Sequence, residues 1–499
     1  MKQLRTLGLA SVATVLLGST AAQALTPADV WTAMKTRLTS MGQTISVGSQ
    51  SEADGKLALR NVTGLVKKPN STVSYAIPEI DLQQDKDGSV TVTLSPETDV
   101  VFSTTSPQGT VTEGTLKLTQ DGLKSVVAGT DADMTYTTSA TSVGVALAGL
   151  KSGGKDQPVK VDGKILGIQG TAHIVTNGAT DIDSSGSAAS ANFTVDATTT
   201  DKTGSATIHV DFATKALATE AKTTVPAGVN MQDIAAALGA GYAANTTISY
   251  GPTTYAISRV GGPSSGTLDG KVDAGTIHVT MDKGHLQYDT DSKGLDLNVT
   301  APVLPVPSLG IKLAESAFRL LMPVEKADAP QPFGLLLKLD GLEISKELWG
   351  MFDPKSILPH DPATLILDLA GKGNWAYNFF DPALQKSAPV IPGQVDEVSL
   401  NQLKLDAVGT HLIGTGTLKI DNSDPAVPKP DGAINLTLTG ANGLLDKLGE
   451  MGLLPKEQGM AARMMLGLFA RPGGGPDVLT SQLEFKPDGS ILANGQRIK

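Results

Sequence analysis

The most compact acid–base group in this sequence is a histidine between two aspartates. His360 stands beside Asp361, and Asp353 lies shortly before them. Histidine changes its charge near neutral pH, so it can act as a general base or a metal ligand when a second group orients it. No two histidines have the spacing of metal ligands on one helix face; the other five are His173, His209, His278, His285 and His411. We expect His360 to cap or bridge loops.

A serine between glycines imitates a hydrolase motif. The run Gly-Pro-Ser-Ser-Gly at 262–266 matches the nucleophile elbow, which needs a strand before the serine and a helix after it. The residues that follow, 267–272, alternate like a strand. The pattern therefore favours a hairpin turn, and a hydrolase that uses Ser264 or the His360 region is the weakest of three functional hypotheses.

Two aspartate patterns imitate calcium-binding loops. In the first, Asp181-x-Asp183-x-Ser185, the twelfth position is Asn192, where such a loop needs a bidentate glutamate. In the second, Asp289-x-Asp291, a lysine occupies a ligand position. Turn formation explains both segments. Because a phosphate-binding loop, a dinucleotide fingerprint and a cysteine nucleophile are also missing from the sequence, we expect no catalytic residues, no cofactor and no metal.

An apolar stripe marks the last predicted helix. A stripe at helical spacing is first of all a core face. Methionine also adapts to irregular ligands, so the same stripe could form one wall of a binding site. The candidate wall for an apolar ligand consists of Met460, Met464, Met465, Leu468 and Phe469.

Four segments have helical patterns. Thr26 can cap a helix that runs to Met41 and packs its Trp31 face on a sheet. A second helix, in the region 230–240, is predicted at 230–238, with Asn230 as its cap. The closing helices are predicted at 441–451 and 455–470, and a short one at 346–352 begins after Ser345.

Most of the remaining chain alternates between apolar and polar residues. Such strands bury one face and expose the other, which indicates antiparallel sheets. The predicted fold is mainly β with a few helices (α+β), built from large, curved or meandering antiparallel sheets. The segment 180–203 is nearly all small and polar, and it predicts thin outer strands and turns.

The stretch 339–371 organises the rest of the chain. A long alternating run is interrupted there by a short helix and by Asp353-Pro354, which ends it because proline disfavours helical geometry in the preceding residue. Alternation resumes at Thr364. We expect Trp349 and Phe352 to be buried at this node, which extends from Trp349 to Pro362.

Helix followed by strands occurs twice, and this layout predicts the domains. Residues 1–24 form a signal peptide. Residues 25–225 hold the first helix and strands, and residues 226–305 the second helix and strands. Residues 306–499 form a C-terminal segment of strands and helices that contains the node.

The first 24 residues indicate export. Lys2 and Arg5 precede an apolar run, and Ala22-Gln23-Ala24 supplies the small residues of a cleavage site. We expect cleavage near Ala24 and a periplasmic mature protein. With no cysteine, disulfides are impossible, and a chain of 499 residues must be held together by its core.

Composition excludes some classes of partner. The formal net charge is −10 and the isoelectric point is near 5.2, so neither nucleic acid nor anionic lipid headgroups are favoured. The 54 glycines suit turns and β structure. A lipid or an envelope protein is the expected partner, and the oligomeric state stays open.

Two stretches carry a family resemblance. The residues from Trp349 to Gly371, and those from Ala441 to Gly473, resemble the secreted alphaproteobacterial domain-of-unknown-function family 2125. This resemblance implies no activity, cofactor or site residue. The signal peptide, alternation and apolar faces are also similar in style to AsmA-like envelope proteins, which handle lipids.

These observations predict a non-enzymatic protein of the cell envelope that binds or handles an apolar, lipid-like ligand. The alternative is a structural or assembly partner in the envelope without a small ligand. A hydrolase is the third hypothesis.

Overall fold

A computed structural model describes residues 25–201, 204–231, 233–262, 265–381, 393–424 and 427–499. The described helices are α1 (Pro27–Ser40), α2 (Ile234–Gly239), α3 (Lys346–Phe352), α4 (Ala441–Glu450) and α5 (Lys456–Phe469). The strands of the N-terminal half are β1 (Thr44–Ala53), β2 (Lys56–Lys68), β3 (Ser71–Gln84), β4 (Val90–Leu94), β5 (Glu97–Thr105), β6 (Val111–Asp121), β7 (Lys124–Thr130), β8 (Asp133–Ser152), β9 (Lys155–Asp156), β10 (Val159–Asn177), β11 (Ala179–Asp201) and β12 (Gly204–Val225).

The strands of the C-terminal half follow in the same sheet. They are β13 (Ala243–Tyr250), β14 (Thr253–Val260), β15 (Gly266–Val272), β16 (Ala274–Met281), β17 (His285–Thr300), β18 (Leu309–Pro323), β19 (Gln331–Ile344), β20 (Ala363–Trp375), β21 (Gly393–Ala407), β22 (Thr410–Asp421), β23 (Lys429–Thr439), β24 (Arg471–Pro472), β25 (Val478–Phe485), β26 (Ile491–Ala493) and β27 (Gln496–Arg497). The described residues are thus mainly β with a few helices, as the sequence predicted.

All these strands belong to one sheet, and every pairing between them is antiparallel. Most strands pair with the next strand along the chain, which makes the sheet a long meander. Pairing continues from β12 to β13 and from β17 to β18, so the sheet is continuous across the boundaries predicted near 225 and 305.

The segment 180–203 is not an outer strand, and that prediction was wrong. Most of it lies in β11, which pairs along most of its length with β10 on one side and β12 on the other. Small side chains do not exclude a strand from the middle of a sheet, because both its neighbours satisfy its backbone. The aspartates of the first calcium-like pattern, Asp181 and Asp183, therefore lie on a strand and not in a turn.

The N-terminal helix packs on one end of the sheet, and the residues between them form a buried hydrophobic core. Thr26 caps the helix as predicted and forms a capping box with Asp29, and Trp31 is only 7 % exposed. The cluster around them consists of Leu25, Val30, Trp31, Leu57, Leu59, Val62, Ile80, Leu82, Val90, Val92, Val127 and Met134. The second helix differs from its prediction, because Asp233 and not Asn230 caps it, by accepting from the Ala236 amide.

A line of kinks crosses several neighbouring strands. Positions such as Ala216, Gly294 and Gly341 drop out of the strand register, and their backbones have φ values of 52°, 69° and 67°. Left-handed geometry in a strand marks a bend. In β19 the apolar alternation shifts by one residue at the kink, from Leu339 to Leu342, so one face of the sheet stays apolar across the bend.

The node around α3 is less buried than predicted. Ser345 caps α3 and β20 resumes the alternation, both as expected. None of the α3 side chains is buried, however, and Phe352 is 42 % exposed. The predicted burial of both Trp349 and Phe352 was wrong, because the Trp349 ring packs against Phe352 and His360 of the same segment and is only partly covered.

Candidate apolar ligand site

A cavity of about 600 Å³ lies between the two closing helices and the sheet. Its volume falls in the range of about 300–1,000 Å³ that is typical of ligand sites. Helices α4 and α5 form one side, and β22, β23 and β25 form the other. Its lining is almost entirely apolar: Thr410, Leu412, Leu436, Leu438, Ala441, Leu444, Leu445, Ala462, Met465, Leu466, Phe469, Ala470, Leu479, Ser481 and Leu483.

An aspartate in the loop before β25 holds the start of α4. The Asp477 carboxylate accepts hydrogen bonds from the amides of Asn442 at 3.0 Å and Gly443 at 2.9 Å, and from the Asn442 side chain at 2.8 Å. Burial would raise the pKa of Asp477, but the amide donors outweigh it and the pKa lies below the usual range for aspartate. An ionised Asp477 thus replaces the cap that Gly440 cannot provide.

The end of α5 is fixed to the other side of the cavity. The Phe469 carbonyl accepts from the Ser481 hydroxyl at 2.6 Å and from the Asn494 side-chain amide at 3.0 Å. Between the helices, Arg463 of α5 pairs with Asp446 of α4 at 2.5 Å. The helices are therefore anchored at their ends, while the space between them and the sheet stays open.

Only two of the five residues of the predicted apolar wall line the cavity. Met465 and Phe469 line the cavity, although Met465 is also 50 % exposed. Met460, Met464 and Leu468 are 63 %, 73 % and 43 % exposed and are not part of the lining. The helix thus presents apolar side chains both to the cavity and away from it.

The acid–base candidate at the node serves a loop. The buried Asp353 carboxylate accepts from the amides of Ile357 and Leu358, both at 2.9 Å, and lies 3.1 Å from His360 Nε2. Burial would raise the pKa of Asp353, but these hydrogen bonds lower it below the usual range. The His360 ring also stacks on Trp349, with 3.9 Å between ring centroids. His360 therefore bridges the loop after α3 through its contact with Asp353, as the sequence predicted.

The second calcium-like pattern also lies on a strand, β17, so its assignment to a turn was wrong. Asp289 is 8 % exposed and accepts hydrogen bonds from Arg319 Nε at 3.1 Å and from the Gln287 side-chain amide at 2.6 Å. Within the described ranges, no group of three or more histidines and acids could hold a metal ion.

Two sequence predictions cannot be placed. The signal peptide, residues 1–24, and Ser264 lie outside the described residues. The strand β15 begins at Gly266, where a nucleophile elbow would require a helix. In the part of the chain that the structure describes, none of the helices has the length and hydrophobicity needed to cross a bilayer.

Sequence reasoning missed a leucine-rich surface beside the cavity, here called the leucine strip. Three neighbouring strands each contribute three leucines to the same face, and the cross-strand pairs align them in three rows. The strip consists of Leu335, Leu337 and Leu339 of β19, Leu365, Leu367 and Leu369 of β20, and Leu400, Leu403 and Leu405 of β21. The alternation of leucine in 335–339 and 365–369 signalled each strand, but the alignment depends on register.

The C-terminal part of the chain matches the model of a known protein family. The model of a family described as "Uncharacterized protein conserved in bacteria (DUF2125)" matches residues 254–495. The match begins in β14 and includes the node, the leucine strip and both helices of the cavity. It confirms the resemblance seen in the sequence. No curated protein sequence matches the chain.

Proposed function

We propose that this chain, whose residues 254–495 belong to the DUF2125 family, is a non-enzymatic periplasmic protein of the cell envelope that binds an apolar, lipid-like ligand. The observation that carries the proposal is the cavity beneath α4 and α5, with its almost wholly apolar lining. Ligand pockets are concave and mostly apolar, and a volume of about 300–1,000 Å³ is typical of them.

The periplasmic location rests on the N-terminal sequence. A basic start, an apolar run and the Ala22-Gln23-Ala24 site have the order that export requires. The absence of cysteine from the sequence is compatible with an oxidising compartment, since no thiol needs protection there.

The non-enzymatic role is supported by the hydrogen bonds of Asp353, from the acid–base group at the node, and of Asp477, the aspartate beside the cavity. The Asp353 carboxylate accepts hydrogen bonds from two backbone amides and contacts His360. The Asp477 carboxylate accepts hydrogen bonds from the start of α4. Their lowered pKa values leave both groups ionised at neutral pH and make them weaker proton acceptors, so neither is suited to transfer a proton there. Both carboxylates stabilise loops.

Replacing Met465 by glutamine tests the binding site. We expect Met465→Gln to fold normally, because this side chain is half exposed, and to weaken binding of a fluorescent fatty-acyl probe about tenfold. The physical reason is that a polar amide facing hydrocarbon without a partner costs about 1–3 kcal/mol. Probe titration by fluorescence, with circular dichroism as the folding check, makes the measurement.

The matched control is the next residue of the same helix. Met464→Gln makes the same chemical change at a side chain that is 73 % exposed and not part of the lining, so probe affinity should stay at the wild-type value. A wild-type protein that binds no acyl probe would contradict the proposal. Unfolding of Met465→Gln would assign the stripe to the core and favour a structural envelope protein.

A further inference from the structure

We infer that the ligand is an amphiphile with a long hydrocarbon chain, and that this chain extends from the cavity across the leucine strip. The inference rests on the proposed function and names the class of ligand. It follows from the continuity of the strip with the cavity, from its exposure and from its dimensions.

The strip is continuous with the cavity through cross-strand pairs. Leu412, which lines the cavity, is the register partner of Leu405 in β21. Leu405 pairs with Leu365 in β20, and Leu365 pairs with Leu339 in β19, where this row of leucines ends. Directly paired side chains on one face lie about 4.5–5.5 Å apart, so adjacent members of the row are in contact range.

The strip is open to a ligand. None of its nine leucines is buried, and Leu405 is 40 % exposed. Within the span of the strip, residues 335–340, 365–369 and 400–406, the charged residues lie at the alternating positions of the opposite face: Lys338, Asp340, Asp368, Lys404 and Asp406. An uncharged, half-exposed apolar surface next to a cavity favours hydrocarbon over a polar or charged ligand.

The dimensions fit one acyl chain. Neighbouring strands are about 4.8 Å apart, so the three steps from Leu412 on β22 to Leu339 on β19 span about 14 Å. One leaflet of a bilayer, half of a hydrocarbon core of about 30 Å, contains one chain in about 15 Å. The other two rows of the strip continue on β18 with Leu320 and Phe318, the partners of Leu335 and Leu337, whereas the partner of Leu339 is Ser316. The row is therefore long enough for an acyl chain that begins in the cavity.

Chain length and strip variants test the inference together. The wild-type protein should bind a palmitoyl probe about a hundredfold or more tightly than an octanoyl probe, because each methylene that the strip covers can tighten binding up to about fourfold. Leu339→Thr and Leu365→Thr, each made alone in the row that leads from the cavity, should weaken palmitoyl binding about tenfold and leave octanoyl binding unchanged. Threonine is chosen because it is favourable in strands.

The control is Ile413→Thr, which makes a similar change on the opposite face of β22 at a side chain 53 % exposed, and should alter neither affinity. If octanoyl and palmitoyl probes bind wild type equally well, or if the strip variants leave palmitoyl binding intact, the inference is overturned while the cavity remains a binding site. If neither probe binds wild type, the proposed function fails as well.

Discussion

Replacing Leu59 by alanine should lower the free energy of unfolding by roughly 2–5 kcal/mol. Leu59 is 0 % exposed in the cluster beneath α1, and truncation of a buried leucine removes its transfer free energy and leaves a cavity. This cluster is the main buried core among the described residues, so little else can compensate. Urea unfolding followed by circular dichroism measures the change.

A leucine of the same strand provides the control. Leu65 of β2 is 37 % exposed, so Leu65→Ala should cost clearly less than Leu59→Ala. Equal losses for the two variants would show that the cluster under α1 is not the core that holds this end of the sheet.

Replacing Gly341 by valine should cost roughly 2–5 kcal/mol of stability. The backbone at Gly341 has φ +67°, which is unfavourable for a β-branched residue by about 1–2 kcal/mol. An added Cβ would also lie 2.7 Å from the Ala314 Cβ, and overpacking typically costs about 1–3 kcal/mol more. Thermal unfolding of the variant and wild type measures the sum.

The control for the kink is a strand glycine without these constraints. Gly149 of β8 has no left-handed φ, and a Cβ added there would meet nothing within 4 Å. Gly149→Val should therefore leave the melting temperature near that of wild type. If Gly341→Val melts like Gly149→Val, the line of kinks is not required by the sheet.

Local patterns predicted much of the fold. The Thr26 cap, the Ser345 cap and the alternating strands all depend on neighbours in sequence, and all were confirmed. Predictions that depended on distant contacts were less successful. The burial of Phe352 and the outer position of 180–203 depend on which strands lie beside them, and a single sequence does not specify this.

The candidate site was predictable only in part. Helical spacing identified the stripe on α5, but not that Met465 and Phe469 would line a cavity while Met464 would not. That division depends on how α5 is placed by Ser481 and Asn494 near its C-terminal end. The leucine strip likewise requires the register of three strands, which no local pattern contains.

A native mass spectrum of the protein purified from the periplasmic fraction tests the central claim most directly, because it reports the chain and its ligand together. The proposal predicts a chain that begins near Leu25, carrying an additional mass that organic extraction releases as a lipid with a long acyl chain. A spectrum of the ligand-free chain alone, with no lipid in the extract, would contradict the claim that the cavity and the leucine strip hold such a ligand.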